Sequence, residues 1–278
     1  MADGWLDMKP ILSLSSPHNA RVKEAIHLRD RRSRDETGRF LIEGYRELLR
    51  ALEGGWAIEE LFYCQELFLG ENEELLLGQV GQRGGQLIAC TSPLFHKLSY
   101  RDRPDGLVGV SYQKKWGLAE CEKMFEGVAS PFFLVAEAIE KPGNLGTMLR
   151  SMDAAGGDAL ILADPCTDLY NPNVIRASVG TRFTLPCFES TALEALAFLK
   201  RKKIPIFAAT PGASLAYTEV DFRGAVAIAV GTEQLGLSAA WMEAADVQVR
   251  IPMRGAADSL NVAMAATLLL YEVRRQRG

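Results

Sequence analysis

The sequence has no apolar run that reaches the roughly 18 to 20 residues needed to cross a membrane. Its first ten residues carry two aspartates before the first lysine and lead into no apolar segment, so we expect no secretory signal. Hydrophobic residues at 48% and charged residues at 24% are ordinary for a soluble globular protein. These features predict a cytoplasmic protein.

Cysteine pairs and histidine clusters are also missing. The 5 cysteines are an odd number, widely scattered, with no CxxC pair and no histidine at ligand spacing. The 3 histidines all lie in the first hundred residues, whereas the strongest motifs lie after residue 140. We therefore predict no disulfide and no metal site, and a histidine-based catalytic triad has little support.

The glycine motifs that bind phosphates are absent as well. Neither GxGxxG nor GxxxxGK[ST] occurs anywhere in the chain. A Rossmann dinucleotide site and a P-loop are therefore improbable. A nucleotide-dependent oxidoreductase on an ordinary α/β fold stays an alternative that lacks its fingerprint, and a test of NAD binding would decide it.

The length of 278 residues favours two domains, each with its own core. Helical and extended patterns alternate in residues 1–113, which predicts a small αβα domain in which 19–32 has the period of one helix. Residues 114–130 lack a strand pattern and end in small residues, so they are the predicted linker. Residues 131–278 form the second predicted domain.

The second domain alternates strands that are apolar on both faces with helices, including one near 173–179. This pattern predicts a parallel α/β sheet with helices on both sides. Ligands of such sheets bind beyond the carboxyl ends of the strands, so the loops from strand to helix are where chemistry is expected. Three of these loops are unusual.

The first loop, residues 140–151, has the sequence EKPGNLGTMLRS. Asn144 is a good helix N-cap there, and Arg150 follows six residues later, roughly 240° around a helix axis, so the two are not automatic neighbours. The second, GTEQLGLS at 231–238, has Glu233 as its one charge, which could orient a substrate hydroxyl or amine. Ordinary structural alternatives are an exposed arginine on a capped core helix and a helix-terminal charge.

The third loop opens the segment IPMRGAADSLNVAMAATLLLYE, residues 251–272. Ser259 is a plausible N-cap for the last helix. Alanines at 263, 265 and 266 permit unusually close packing, either of the helix on the sheet or of a ligand against the backbone.

Taken together, the three loops resemble the signature motifs of the SpoU (TrmH) family of SPOUT methyltransferases. The first motif corresponds to Asn144, Gly146 and Arg150, and the second to Gly231, Glu233, Gly236 and Leu237. The third corresponds to Ile251, Pro252, Met253, Ser259, Leu260, Asn261, Val262 and Ala263. Each motif alone is weak, but in this order, each after a predicted strand, they are highly specific.

The N-terminal half resembles the ribosomal-protein-like substrate-binding domain of that family, through SPHNARVKEAIHLRDRR, FLIEGYREL and DGLVGV. Overall, a net charge of −4 gives no sign of a nucleic-acid binder. Residues 21–39, however, hold seven basic residues against four acidic ones, a pattern that by itself equally fits a solvated helix face. With an RNA substrate implied, the candidate phosphate contacts are Arg21, Lys23, Arg31, Arg32 and Arg34.

The resemblance implies an RNA ribose 2′-O-methyltransferase with a deep trefoil knot, S-adenosyl-L-methionine as cofactor and two subunits that pair to complete the site. Carried over by position, the cofactor contacts are Thr210, Gly231, Ile251, Met253 and Leu260. The catalytic set is Asn144, Arg150, Glu233, Ser259 and Asn261. Because a guanidinium has a pKa above about 12, we expect Arg150 to bind an RNA phosphate and stabilise alkoxide charge rather than act as the base.

Two further alternatives keep this fold. One is a non-catalytic RNA-binding or ribosome-assembly factor, which the intact Asn144, Arg150, Glu233 and Asn261 disfavour and which calorimetry with the cofactor would test. The other is methylation of transfer RNA. The additional N-terminal domain favours large-subunit ribosomal RNA, by analogy alone.

Overall fold

The computed structural model describes residues 9–278, so most of the N-terminal segment discussed above lies outside the described residues. The chain divides into two compact units. The first contains the residues up to 114 together with 169–184, and the second contains 115–168 and 185–278.

The helices and strands follow one another with few long connections. In residues 9–114 they are β1 (Leu12–Leu14), α1 (Ala20–His27), α2 (Arg31–Thr37), β2 (Arg39–Glu43), α3 (Tyr45–Glu53), β3 (Ile58–Tyr63), α4 (Glu73–Gln82), β4 (Gln86–Cys90), α5 (Ser92–Leu98) and β5 (Leu107–Tyr112). In residues 115–278 they are α6 (Leu118–Met124), β6 (Phe132–Glu137), α7 (Pro142–Ala155), β7 (Ala159–Ala163), α8 (Pro172–Ala177), β8 (Cys187–Ser190), α9 (Ala192–Arg201), β9 (Ile206–Ala209), β10 (Leu215–Ala216), β11 (Val226–Val230), α10 (Ala239–Ala244), β12 (Val247–Arg250) and α11 (Val262–Arg277).

The first unit is built on a five-stranded mixed sheet of order β1-β4-β3-β5-β2. Strands β1, β4 and β3 run parallel, and β5 is antiparallel to both β3 and β2. One core joins α1 and α5 to the sheet through residues such as Val22, Phe95 and Phe62. The predicted helices and strands of this half are thereby confirmed in kind, although α1 and α2 replace one expected helix.

The break between α1 and α2 has a local cause. The carbonyl oxygens of Leu28 and Arg29, at the end of α1, accept hydrogen bonds of 2.9 and 2.7 Å from the guanidinium of Arg34. An arginine thus satisfies helix-end carbonyls that would otherwise lack partners. Gly38, with φ +65°, then ends α2 in the left-handed conformation.

The second unit contains seven parallel strands in the order β10-β12-β9-β11-β6-β7-β8. Strands β6, β7 and β11 are buried along their whole length, as a sheet covered on both faces requires. The core on one face joins α6, α9 and α10 to the sheet, while α7 and α11 pack against each other and α11 contacts β11. The predicted parallel α/β sheet is confirmed, and the trefoil knot stays a prediction.

Two segment boundaries differ from those expected. Residues 118–124 of the expected linker form α6, whose Cys121 is fully buried in the core of the second unit. The division between units falls at Lys114 and Lys115. Helix α6 forms because its apolar face finds this core, a contact that the linker's sequence does not reveal.

The other difference is the segment 169–184, expected in the catalytic domain but part of the first unit. Its Tyr170 and Phe183 form an aromatic cluster with Phe40 and Trp56. The indole Nε1 of Trp56 also donates to the Phe183 carbonyl at 3.1 Å. Burial of four aromatic rings together accounts for where this segment packs.

No helix within residues 9–278 has both the length and the apolar character that a membrane crossing requires. None of the five cysteines is joined to another in a disulfide. The same residues contain no cluster of three or more histidine, cysteine or acidic side chains arranged to hold a metal ion.

Candidate active site

A cavity of about 590 Å³ lies in the second unit, beyond the carboxyl ends of β9, β11 and β12. The chain that follows each of these strands contributes to its wall, together with residues 258–261 before α11 and the first residue of that helix, Val262. This is where a parallel sheet is expected to bind ligands. All five predicted cofactor contacts line the cavity: Thr210, Gly231, Ile251, Met253 and Leu260.

The loop after β11 is a tight closed turn. The backbones of Thr232 and Gly236 exchange hydrogen bonds of 3.0 and 3.1 Å. A Cβ atom added to Gly231 would lie 2.1 Å from the Gly236 carbonyl oxygen, so only glycine fits there. At the far end, the Ser238 amide donates to the buried Glu137 carboxylate at 2.8 Å. The turn is therefore held at both ends, and it presents Glu233 to the cavity.

Three side chains, one from each predicted motif, form a continuous hydrogen-bonded chain. Asn261 Nδ2 donates to Asn144 Oδ1 at 3.1 Å, and Asn144 Nδ2 donates to Glu233 Oε1 at 2.6 Å. Glu233 Oε2 is buried and has no hydrogen-bond partner among the described residues. A buried carboxylate oxygen without a partner is costly, so this oxygen is a ready acceptor for a bound hydroxyl or amine.

The helix caps differ from those predicted. Asn144 lies in the first turn of α7, which begins at Pro142, rather than capping it. Asn261, not Ser259, caps α11, because its Oδ1 accepts from the amides of Ala263 and Met264 at 3.0 and 3.3 Å. Ser259 lies exposed on the cavity wall and makes no hydrogen bond with another residue of 9–278. Asn261 thus both caps α11 and connects the motifs.

Arg150 lies outside this arrangement. It is exposed on α7 and does not line the cavity, and its guanidinium makes no hydrogen bond or ion pair with another described residue. The structure therefore brings together Asn144, Glu233 and Asn261 within one chain, and it leaves the guanidinium of Arg150 available to a second molecule.

Two charged residues of the cavity wall were not predicted from the sequence, Lys141 and Asp258. Each adjoins a recognised motif, which is the one signal that could have pointed to them. Among the described lining residues Lys141 supplies the positive charge, and Asp258 and Glu233 supply the negative charges. The cavity therefore offers charges of both signs at its wall.

The residues present fit S-adenosylmethionine, the cofactor that the motif resemblance implies. The volume lies within the roughly 300 to 1,000 Å³ typical of small-molecule sites. Apolar side chains such as Val230, Leu237 and Ile251 provide surface for an adenosine group, while Lys141 and Asp258 complement a zwitterionic amino-acid end. The unpartnered Glu233 Oε2 adds an acceptor for a hydroxyl or amine.

The predicted RNA-contact segment in the first unit is largely paired within the protein. Arg21 forms an ion pair with Glu60, and Arg31 and Arg32 pair with Asp35 and Glu36 one helical turn away. Lys23 is exposed. The two pairs on α2 are exposed and contribute only about 0–1 kcal/mol each, so a phosphate could displace them, whereas the Glu60 partner of Arg21 is buried.

The structure corrects the prediction for Arg34. Arg34 is only 1% exposed, and its guanidinium donates hydrogen bonds to the carbonyls of Leu28 and Arg29. It stabilises the corner between α1 and α2 and does not lie on a surface where it could contact RNA. An arginine's position in sequence does not reveal whether its head group is committed to the backbone.

Comparison with known proteins agrees with this geometry. Residues 131–271 match the model of the SpoU rRNA Methylase family, and residues 19–109 match that of the MRM3-like substrate binding domain. The 23S rRNA (guanosine(2553)-2′-O)-methyltransferase RlmP of Bacillus subtilis is 29% identical, covering 94% of this chain and 98% of that protein.

A second relative, the 23S rRNA (uridine(2479)-2′-O)-methyltransferase of Streptomyces viridochromogenes, is 32% identical over 100% of this chain and 97% of its own. The crystal structure of an AdoMet-bound rRNA methyltransferase from Sinorhizobium meliloti superposes with a TM-score of 0.86 at 28% identity. It covers 95% of this chain and 98% of that one. The resemblance to the SpoU family that was inferred from the three motifs is confirmed.

Proposed function

This chain belongs to the SpoU rRNA methylase family, and from that membership we propose that it transfers a methyl group from S-adenosylmethionine to a ribose 2′-hydroxyl of ribosomal RNA. The observation that carries the proposal is the hydrogen-bonded chain Asn261–Asn144–Glu233, which joins all three motifs beside the cavity. Relatives that match nearly the full length of this chain act on 23S rRNA, which supports ribosomal RNA as the substrate.

The loops that follow β9, β11 and β12 and line the cavity would bind the cofactor. Thr210, Gly231, Ile251, Met253 and Leu260 would hold the cofactor, with Lys141 and Asp258 near its charged end. When bound, S-adenosylmethionine supplies an electrophilic methyl group. The rigid turn at 231–237 lets the protein hold it without reorganising, since the turn is already closed by backbone hydrogen bonds.

Asn144, Glu233 and Asn261 act as positioning residues. Asn144 holds Glu233 by one carboxylate oxygen, and Glu233 lies in the wall of the cavity. There Glu233 accepts a hydrogen bond from the ribose or from the cofactor. Fixing a reacting hydroxyl in this manner lowers the entropy cost of an in-line methyl transfer.

Arg150 binds an RNA phosphate and stabilises the negative charge that develops on the 2′-oxygen. It does not take the proton, because a guanidinium remains protonated in proteins. The 2′-oxygen gains the methyl group and loses its proton to water or to an RNA phosphate oxygen. The other product is S-adenosylhomocysteine.

We infer that two copies of the chain pair through α11. Met264, Leu268 and Tyr271 recur at helical spacing on one face of α11 and are 63%, 41% and 48% exposed. An apolar stripe of this kind indicates a surface that another protein covers. A second copy is the occupant that also explains Arg150, which would act at the partner's cavity rather than at its own.

The proposed function is tested by Arg150→Ala, with the exposed Arg223→Ala as a matched control. We expect methylation of ribosomal RNA to fall by at least about 100-fold, as when a charge-stabilising donor is removed. The calorimetric affinity for S-adenosylmethionine should stay within about twofold, because Arg150 does not line the cavity.

Each of the alternative results of these experiments has a single interpretation. Near-normal turnover by Arg150→Ala would overturn the role of the arginine. Failure of the wild-type protein to bind S-adenosylmethionine would overturn the proposed function itself and favour the non-catalytic factor. Mapping of 2′-O-methylated positions in ribosomal and transfer RNA, with and without the gene, separates the two substrate classes.

A further inference from the structure

Tyr100, in the loop between α5 and β5, is a large aromatic side chain that is 41% exposed yet fixed at both ends. Its backbone amide donates to Glu43 Oε2 at 2.9 Å, and its hydroxyl accepts from Asn173 Nδ2 at 3.1 Å. Both partners belong to the first unit. The ring is therefore already ordered, and a ligand that stacks on it need not restrict its rotation.

The loop that contains Tyr100 is held in place by hydrogen bonds and ion pairs of its own residues. The guanidinium of Arg101 donates to the Glu43 carbonyl at 2.6 Å and to Glu47 Oε1 at 2.7 Å, and it pairs with Asp105. Ser99 also donates its hydroxyl to the Glu43 carboxylate. The carboxylates of Glu43 and Glu47 thus both accept hydrogen bonds from the loop, and Arg101 places one positive charge beside them.

Uncommitted positive charge flanks the ring. Arg176 lines the same shallow cleft as Tyr100, together with Pro172 and Ile175. Arg176 and Arg103 are exposed, and the guanidinium of neither makes a hydrogen bond or ion pair with another residue of 9–278. This differs from the basic segment at 21–39, where Arg21, Arg31 and Arg32 are paired with carboxylates and Arg34 is buried.

An exposed, preordered aromatic ring beside free guanidinium groups matches the chemistry of unpaired nucleotides. Each base offers a π-face to an aromatic side chain, and the neighbouring phosphate binds arginine. In a duplex the faces are already stacked on one another, so a base must be unpaired to use the site. A protein partner would not require this alternation of ring and cation.

We propose that Tyr100 and Arg176 form an RNA subsite in the first unit, where Tyr100 stacks on an unpaired base and Arg176 binds the adjacent phosphate. The subsite rests on the proposed function in so far as its ligand is the RNA substrate. It assigns recognition of that RNA to a surface formed by the loop 99–106 and the segment 169–184, rather than to residues 21–39 alone.

The test uses the full-length protein and its affinity for a single-stranded RNA of about 12 nucleotides, with the fully paired duplex of the same sequence as the comparison. Tyr100→Ala should weaken binding of the single strand by about tenfold, whereas Tyr100→Phe, which keeps the ring, should stay within about twofold. Arg176→Ala should lower the slope of log affinity against log salt by about one.

Tyr112→Ala is the matched control, since Tyr112 is another tyrosine of the first unit, 52% exposed, with its hydroxyl held by Glu59 at 2.9 Å. Its substitution should leave RNA binding unchanged. Fluorescence of 2-aminopurine placed in the single strand reports stacking directly, and its quenching should disappear with Tyr100→Ala and persist with Tyr100→Phe. Thermal melts confirm that each variant is folded.

The subsite is overturned if Tyr100→Ala binds the single strand as the wild type does, if Tyr112→Ala loses as much, or if the duplex is weakened equally. S-adenosylmethionine affinity should be the same in every variant. A wild-type protein that binds the cofactor but neither RNA would instead refute RNA as the substrate, so the two failures are distinguishable.

Discussion

At the scale of single residues, Asn261 performs two tasks with two different atoms. Its Oδ1 satisfies two amides at the start of α11, while its Nδ2 donates to Asn144 in another loop. The first task stabilises the fold and the second orients the site. The two atoms can be changed separately, because aspartate keeps the acceptor and lacks the donor.

We predict that Asn261→Asp and Asn261→Ala differ in stability but not in lost activity. Alanine should lower the free energy of unfolding by about 1 kcal/mol through loss of the cap, whereas aspartate is an equally good cap. Both should reduce methylation by at least about tenfold, because Asn144 loses its donor and Glu233 loses its fixed position. Thermal melts and single-turnover assays measure the two effects.

Two outcomes with the same variants would contradict this assignment. If Asn261→Asp melts normally and methylates normally, the bond to Asn144 has no part in positioning. If both variants unfold early, the cap and the hydrogen-bonded chain cannot be separated at this residue, contrary to the assignment of each task to one atom.

At the scale of elements, α11 is buried on one face and apolar on another that the described residues, 9–278, leave exposed. Ala266, Leu269 and Leu270 pack in the core, whereas Met264, Leu268 and Tyr271 are exposed. The exposed stripe supports the pairing of two copies proposed above. A charge placed within it should oppose that pairing, since an unpaired charge at the centre of an interface is costly.

We predict that Leu268→Glu raises the dissociation constant of the dimer by at least about 30-fold, the effect of losing a central interface residue. Leu193→Glu is the control, because Leu193 is a leucine of α9 that is 72% exposed and lies outside the stripe. Sedimentation velocity over a range of concentrations measures the change. A wild-type protein that is monomeric throughout, or equal behaviour of the two variants, would contradict pairing through α11.

At the scale of the whole molecule, the first unit is discontinuous in sequence. The segment 169–184 contributes Tyr170 and Phe183 to an aromatic cluster whose other members lie before residue 60. The small core of the first unit therefore depends on chain that is expected, from sequence, to belong to the second. Small domains bury a smaller fraction of their surface and are only marginally stable. The loss of such rings should therefore lower the stability of the unit strongly.

We predict that an isolated fragment of residues 1–114 is less stable than the same unit in the full chain and exposes Phe40 and Trp56 to water. Tryptophan fluorescence and binding of a hydrophobic dye should report the exposure. A synthetic peptide of residues 169–184 added in trans should raise the thermal midpoint of the fragment, while a peptide with Phe183→Ala should not. A fragment that melts without dye binding and ignores the peptide would disprove this dependence.

Features that depend on local pattern could be predicted from the amino-acid sequence. Apolar runs at 132–137, 159–163 and 226–230 specify buried parallel strands, because burial on both faces demands hydrophobic residues at every position. Asn144, Glu233 and Asn261 could be placed at one edge of that sheet, because each follows a strand and parallel strands end on the same side. The family followed from the same three motifs.

Features that depend on contacts between residues distant in the chain required the folded structure. It placed Lys141 and Asp258 on the cavity wall, committed Arg34 to carbonyl groups, and joined residues 169–184 to the first unit. It also chose Asn261 over Ser259 as the cap of α11. Several residues near a helix start can serve as caps, and packing against the rest of the fold selects among them, since the local differences in free energy are only about 1 kcal/mol.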